Sequence, residues 1–218
     1  MLRAGLTGSL GSGKTTIAAI FREHGLHVLE ADGIARSMMQ RGEPVFRRIV
    51  EHFGRGVLCQ DGTLDRPRLA ALAFGEGRLN ELNQIVHPPV VAEQERQTTG
   101  IFARDPRAIV VIESALIFEA EAWGTVPHWR ERFDRIILVT APEEINIQRF
   151  LTRILPADAS LEQRDGAERD ARARLAAQIP DAKKLSLADF IIDNSGSLEA
   201  TRWQAERVAK ELLTSASV

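Results

Sequence analysis

The chain has 218 residues, 44% of them hydrophobic, so it can bury a substantial core and fits one domain carrying one or two insertions. Its 28 basic and 30 acidic residues leave a formal charge of −2, without the positive excess of a nucleic-acid binder. A single cysteine, Cys59, excludes an intramolecular disulfide, offers no thiolate metal site and suits a reducing cytoplasm, and no run approaches the roughly 18 apolar residues that span a bilayer.

The first apolar run, Leu2 to Thr7, is broken by Gly5 and Thr7 and leads straight into a glycine-rich segment, so it reads as a buried strand rather than a signal peptide. That segment, Gly8-Ser9-Leu10-Gly11-Ser12-Gly13-Lys14-Thr15, fits the G-x-x-x-x-G-K-[ST] phosphate-loop pattern and precedes the amphipathic run Thr16 to Phe21. Glycines let a backbone wrap closely round phosphate oxygens, and the amides converge at the positive end of the following helix. Gly8, Gly11, Ser12, Gly13, Lys14, Thr15 and Thr16 are therefore the candidate contacts to ATP. Lys14 would bridge the β- and γ-phosphates, and the Thr15 hydroxyl would complete a Mg²⁺ shell. A glycine-rich turn with an incidental lysine is the alternative, and the strand before and helix after weigh against it. No Asn-Lys pair occurs in the chain, so the guanine clamp of a GTPase is missing; Asp193 to Gly196 fits the switch pattern D-x-x-G only by accident, after the last strand.

The second strand, His27 to Glu30, delivers Asp32 to the carboxyl edge of the sheet, near a transferred γ-phosphate. There a carboxylate can orient and partly deprotonate an acceptor hydroxyl; as a helix N-cap it would serve the fold instead. About 75 residues with helical periodicity follow, including Val45 to Phe53, Arg66 to Phe74 and Pro89 to Phe102, too many for a plain crossover. Residues 33–103 read as a helical insertion above the strand ends, where open α/β sheets bind ligands. Within it His87-Pro88-Pro89 reads as a break before a helix, with His87 either contacting substrate phosphate or closing a loop.

The Ile- and Val-rich third and fourth strands, Ala108 to Glu113 and Arg135 to Val139, lack polar alternation, which predicts helices on both faces of a parallel sheet. Glu113 at a strand end either holds Mg²⁺ through water or is a surface carboxylate. Residues 143–184 carry eight acidic and eight basic residues and read as a mobile helical lid. Arg149 and Arg153 share one helical face; aimed inward they would neutralise the migrating phosphoryl group, and aimed outward they would pair with Glu143 or Glu144. Arg164, Arg169, Arg172 and Arg174 read as surface residues. Phe190 to Ile192 is the fifth strand, and Leu198 to Leu213 a closing helix with Trp203, Val208 and Leu212 on one buried stripe. The expectation is an α/β fold: a doubly wound five-stranded parallel sheet of the P-loop type in one domain. Residues 1–32, 104–142 and 185–218 form its nucleotide-binding core, with the acceptor-binding insertion and the lid attached.

Taken together, the segments resemble dephospho-coenzyme A kinase over nearly the whole chain. The most diagnostic are Asp61-Gly62-Thr63-Leu64-Asp65-Arg66 and Leu82-Asn83-Gln84-Ile85-Val86-His87-Pro88. Ala31 to Arg36, Leu116 to Glu119, Arg174 to Gln178 and Ala188 to Gly196 follow the family's order. The resemblance implies phosphorylation by ATP, with Mg²⁺, of the ribose 3′-hydroxyl of dephospho-coenzyme A, with no nucleic acid, membrane or obligatory protein partner. By the same resemblance Asp32 is the base, Arg36, Arg66 and His87 belong to the acceptor side, and Arg149 or Arg153 to the lid. Asn194 and Gly196 would lie near the adenine of ATP. Glu30, Ala115 and Asn146 depart from the family's usual aspartate, proline and glutamine, and the lid is longer than usual across Leu155 to Arg172.

Overall fold

Strand β1 (Leu2–Thr7) leads through the glycine-rich loop into α1 (Lys14–Glu23), and β2 (His27–Glu30) follows. The computed structural model describes residues 1–216; the last two positions of the 185–218 core segment lie outside the described residues. After β2 come α2 (Ala31–Met38), α3 (Pro44–Phe53), α4 (Arg66–Ala70), which continues as a π-helical turn over Ala71–Gly75, and the long α5 (Leu79–Arg104). Then follow β3 (Ile109–Glu113), α6 (Ile117–Ala122), β4 (Arg135–Thr140), α7 (Glu143–Ile154), α8 (Leu161–Ala176), α9 (Asp181–Lys184), β5 (Phe190–Asp193) and α10 (Leu198–Ser215).

The described residues form one parallel sheet in the order β2-β3-β1-β4-β5. Side chains alternate across it. Leu6, Val111, Ile137 and Val139 meet Ile17 and Phe21 of α1 and Ala205, Val208 and Leu212 of α10 on one face. Val110, Ile112 and Ile136 meet Ile101 of α5 and Ile117 and Phe118 of α6 on the other. The doubly wound expectation therefore holds, and β3 is buried along its whole length because both of its faces are covered. Two satellite cores sit above the carboxyl ends of the strands. One joins Val45 and Ile49 of α3, Val57, Leu69 of α4 and Ile85 of α5; the other joins Ile147, Phe150 and Leu151 of α7 to Ala171 of α8, with Leu10 of the phosphate loop against it.

Three sequence expectations are corrected. His87-Pro88-Pro89 is no break: both prolines lie inside α5, which begins at Leu79. Prolines at 88 and 89 remove two amide donors from the helix ladder, but Ile85 before them and Val90 after them are buried, and this packing on both sides holds the helix continuous. Trp203 is not part of the buried stripe of α10; it is 58% exposed beneath the Arg207 guanidinium, and Thr201, Ala205, Val208, Ala209 and Leu212 form the stripe. Strands β4 and β5 each run one residue further than their apolar runs because Thr140 and Asp193 pair across the sheet. Among the described residues no helix is long and apolar enough to cross a membrane.

Candidate active site

Parallel register brings three carboxyl-terminal strand ends to one edge. Leu6 pairs with Glu113, and Glu113 with Glu30, so the phosphate loop, Glu113 and the β2–α2 junction emerge side by side. They open into a cleft of about 1000 Å³.

The loop is shaped by contacts that only glycine allows. Gly11 and Gly13 adopt positive φ, and a Cβ at Gly11 would lie 2.1 Å from the Asn146 carbonyl oxygen of α7; at Gly13 it would lie 2.0 Å from Asn194 Nδ2. Asn194 is committed to this support: its Nδ2 donates to the Ser12 carbonyl at 2.8 Å and its Oδ1 accepts from Thr201 Oγ1 at 2.8 Å. Gly8 and Ser12 are likewise buried within the loop, and Gly196 is exposed outside the cleft lining. Gly11, Gly13, Lys14, Thr15 and Thr16 line the cleft itself. Lys14 Nζ folds back to donate to the carbonyls of Gly8 at 2.8 Å and Ser9 at 3.0 Å.

Glu113 is 8% exposed and so is no surface carboxylate. Burial raises its pKa, opposed by Lys14 and reinforced by Asp32 and Glu30. Burial likewise lowers the pKa of Lys14, opposed by Glu113 and Asp32. A cation and two carboxylates thus share one partly desolvated edge. Asp32 is the second residue of α2, whose N-cap is Glu30, so Asp32 is not the cap; its carboxylate is exposed to the cleft and accepts no hydrogen bond among the described residues.

Arg36 and Arg66 line the cleft together with Arg149 and Arg153 of α7. Neither Arg149 nor Arg153 pairs with Glu143 or Glu144; Glu143 instead faces Arg172 at 3.3 Å. Arg149 Nη1 is buried without a hydrogen-bond partner, and the Arg153 guanidinium lies 5.5 Å from the Phe150 ring centroid. Arg174, 36% exposed, lines the same cleft, with Nε held by Asp170 at 2.9 Å. His87 stands apart, in an adjoining smaller cavity that shares Asp32 with the cleft. Its Nδ1 meets Thr125 Oγ1 at 2.9 Å, Trp123 stacks near its ring, and burial pulls its pKa down to about 4.

Sequence reasoning missed the strap between α8 and β5. Gln178 accepts from the Leu10 amide at 3.0 Å and donates to the Ala115 carbonyl at 3.3 Å, tying the phosphate loop to the segment after β3. Ser9 Oγ donates to Asp181 at 2.6 Å, and Asp181 lies 3.6 Å from Lys184, a fully buried cation whose Nζ is 2.8 Å from the fully buried Glu119. Lys184 and Glu119 are far apart in sequence and no spacing signals their meeting. For Gln178, the only hint was its place in the Arg174 to Gln178 segment.

A glycine-cradled loop at the end of β1, a lysine within it and an unpaired carboxylate across the cleft, on a doubly wound parallel sheet, define a kinase of the P-loop class. The family model for dephospho-CoA kinase matches residues 2–200, and the chain belongs to that family. It is 38% identical over 215 residues to the dephospho-CoA kinase of Syntrophotalea carbinolica, covering 98% of this chain and 93% of that one. To that of Aquifex aeolicus it is 35% identical over 213 residues, covering 97% and 98%. A solved Thermus thermophilus structure superposes with a TM-score of 0.70 at 31% identity, covering 98% and 97%. Shikimate kinase from Acinetobacter baumannii, at 18% identity and a TM-score of 0.52 over 99% and 94% of the chains, shares the fold.

Proposed function

We propose that this protein transfers the γ-phosphoryl group of ATP to the ribose 3′-hydroxyl of dephospho-coenzyme A, releasing ADP and coenzyme A. The observation that carries the proposal is the single cleft into which Lys14, Thr15 and Asp32 all open. The loop amides and Lys14 take the β- and γ-phosphates, which requires Lys14 Nζ to leave the Gly8 and Ser9 carbonyls. Asp32 orients the acceptor hydroxyl and accepts its proton as the oxygen attacks phosphorus and the bond to the β-phosphate oxygen breaks. Arg149, Arg153 and Arg174 line the cleft and can balance charge on the phosphoryl group. Arg36 and Arg66 suit the acceptor's diphosphate.

The residues present also fit Mg²⁺. Thr15 presents a hydroxyl at the cleft, and Glu113 and Asp32 add carboxylates able to hold its water ligands. When bound, the ion would neutralise phosphate charge; the chain's own residues hold and aim the reactants. In this reading residues 33–103 bind the acceptor, 143–184 form a lid, and the remainder is the nucleotide-binding core of one domain acting in the cytoplasm.

The test is incubation with ATP, Mg²⁺ and dephospho-coenzyme A, followed by mass measurement of the acceptor with fragmentation. A gain of one phosphate on the ribose 3′-oxygen is expected. No gain from protein that binds ATP would overturn the proposal.

A further inference from the structure

The glycine-rich loop is braced on two sides by unrelated segments. Asn194, just after β5, holds its second half through the Ser12 carbonyl. The strap that follows α8 holds its first half: Ser9 Oγ donates to Asp181 Oδ1 at 2.6 Å, and the Leu10 amide donates to Gln178 Oε1 at 3.0 Å. Ser9 is 7% exposed, so its hydroxyl has little water to turn to, and a bond to a carboxylate is stronger than one between neutral groups.

Ser9 faces two ways. Its hydroxyl meets Asp181, while its carbonyl and that of Gly8 hold Lys14 Nζ. The same Ser9 carbonyl accepts from the Ser12 amide at 3.1 Å and closes the turn. In the functional reading above, Lys14 leaves both carbonyls for the phosphates of ATP. The loop then gives up two charge-assisted bonds at the moment its amides must be in place. The bond to Asp181 uses the Ser9 side chain and lies outside that exchange.

Asp181 is itself held. It opens the single turn of α9, and Lys184 at the end of that turn brings a fully buried Nζ to 3.6 Å from Asp181 Oδ1 and 2.8 Å from Glu119 Oε1. Glu119 Oε1 also accepts from the Ile179 amide at 3.0 Å, which pins the strap between Gln178 and Asp181. A lone carboxylate behind a loop that takes polyphosphate would repel it, and Lys184 supplies the balancing charge. These charges reach Lys14: after the larger lowering by burial, Lys184 lowers its pKa and Asp181 raises it.

We propose that Asp181 is a positioning residue for phosphoryl transfer: held by Lys184 and the Glu119 anchor, it fixes Ser9 so that the loop keeps its shape when Lys14 swings from the Gly8 and Ser9 carbonyls to the phosphates. Asp181 and Lys184 are not among the residues that line the cleft, so both act through Ser9 rather than on a reactant. The inference rests on the reading of this loop as the ATP site and adds which groups behind the cleft hold it.

The test reads catalysis and stability side by side. With ATP varied at saturating dephospho-coenzyme A, Asp181→Ala and Ser9→Ala should each lower kcat/KM for ATP by at least roughly 30-fold, since a displaced loop misaligns the phosphates. The KM for the acceptor should stay unchanged. Both changes together should come within about threefold of either alone, because they remove one and the same bond. Asp181→Asn keeps an oxygen that accepts from Ser9 and should lose no more than about fivefold. Lys184→Met combined with Glu119→Leu leaves no buried ion pair to break and should unfold in urea much like the unaltered protein. It should nevertheless stay at least roughly tenfold low in kcat/KM for ATP, since Asp181 has lost its cation. Should the Asp181 or Lys184 variants fold poorly, titration of ADP with Mg²⁺ into Ser9→Ala decides, a Kd raised at least roughly tenfold supporting the role and an unchanged Kd removing it. Activity that returns together with stability, single losses that multiply in the pair, or full kcat/KM in both alanine variants would each leave the strap a purely structural element. If the unaltered protein binds ADP yet leaves dephospho-coenzyme A unphosphorylated, the acceptor reading alone falls, and the same variants compared in ADP affinity still decide the role of Asp181.

Discussion

Asp32 sits in the first turn of α2 with its carboxylate turned to the cleft. Because it supports no cap, its removal should leave the fold alone. Asp32→Asn is expected to lower kcat by roughly 10²- to 10⁴-fold, the range for a positioned base, with ATP affinity preserved in a binding titration. A kcat near that of the unaltered protein would return the residue to a bystander role. His87 makes a different prediction, on stability. Its folded pKa of about 4 lies below the ordinary 6.5, so the unfolded chain binds the extra proton first as pH falls. Its contribution is complete above pH 6.5 and is lost progressively down to pH 4. Between pH 6.5 and 5.5 the loss should be about 1 kcal/mol. Urea unfolding of the protein and of His87→Gln across that window checks it, the variant showing the shallower dependence. The glycines and Lys14 were legible because their spacing encodes a backbone shape. His87 was legible only as a residue beside two prolines, since its neighbours Thr125 and Trp123 come from after β3.

At the scale of elements, the α5 helix and the strap at Gln178 to Lys184 show where local rules yield. A double proline predicts a boundary because it removes amide donors, yet packing of α5 against α2 and α3 outweighs that local loss. In the strap, a charge-rich stretch that reads as solvated surface turns inward at one lysine. Lys184 and Glu119 are both 0% exposed, and Asp181 carries the network to Ser9 of the phosphate loop. Lys184→Met removes the cation from beside the buried Glu119, and should destabilise the protein by about 3–5 kcal/mol in chemical unfolding. The double change with Glu119→Leu should recover most of that loss, because no buried charge then remains. Equal destabilisation by both variants would mean that the pair acts through shape rather than charge.

Over the whole molecule, each sheet face carries its own core, and residues 33–103 and 143–184 each carry a smaller one. The core between α7 and α8 is not independent of the glycine-rich loop. Leu10 packs into it, and the α7 backbone at Asn146 leaves no room for a side chain at Gly11. Occupation of the loop should therefore steady α7 and α8. Amide hydrogen exchange across residues 143–176 is expected to slow at least several-fold on ATP binding, while exchange in β3, already buried on both faces, stays unchanged. Uniform slowing across both regions would point to general stabilisation by ligand instead.

Composition and local pattern by themselves determined the strand–loop–helix nucleotide motif and the parallel character of the central strands. Each of these depends on short-range rules: glycine conformation, strand burial and helical period. Tertiary structure alone decided that Arg174 faces the cleft, that Trp203 does not join the core, that Asn194 braces the loop, and that Lys184 is buried against Glu119. Those outcomes depend on which distant segments the crossovers bring together, and a side chain's partner across 65 or 182 positions leaves no trace in its neighbours along the chain.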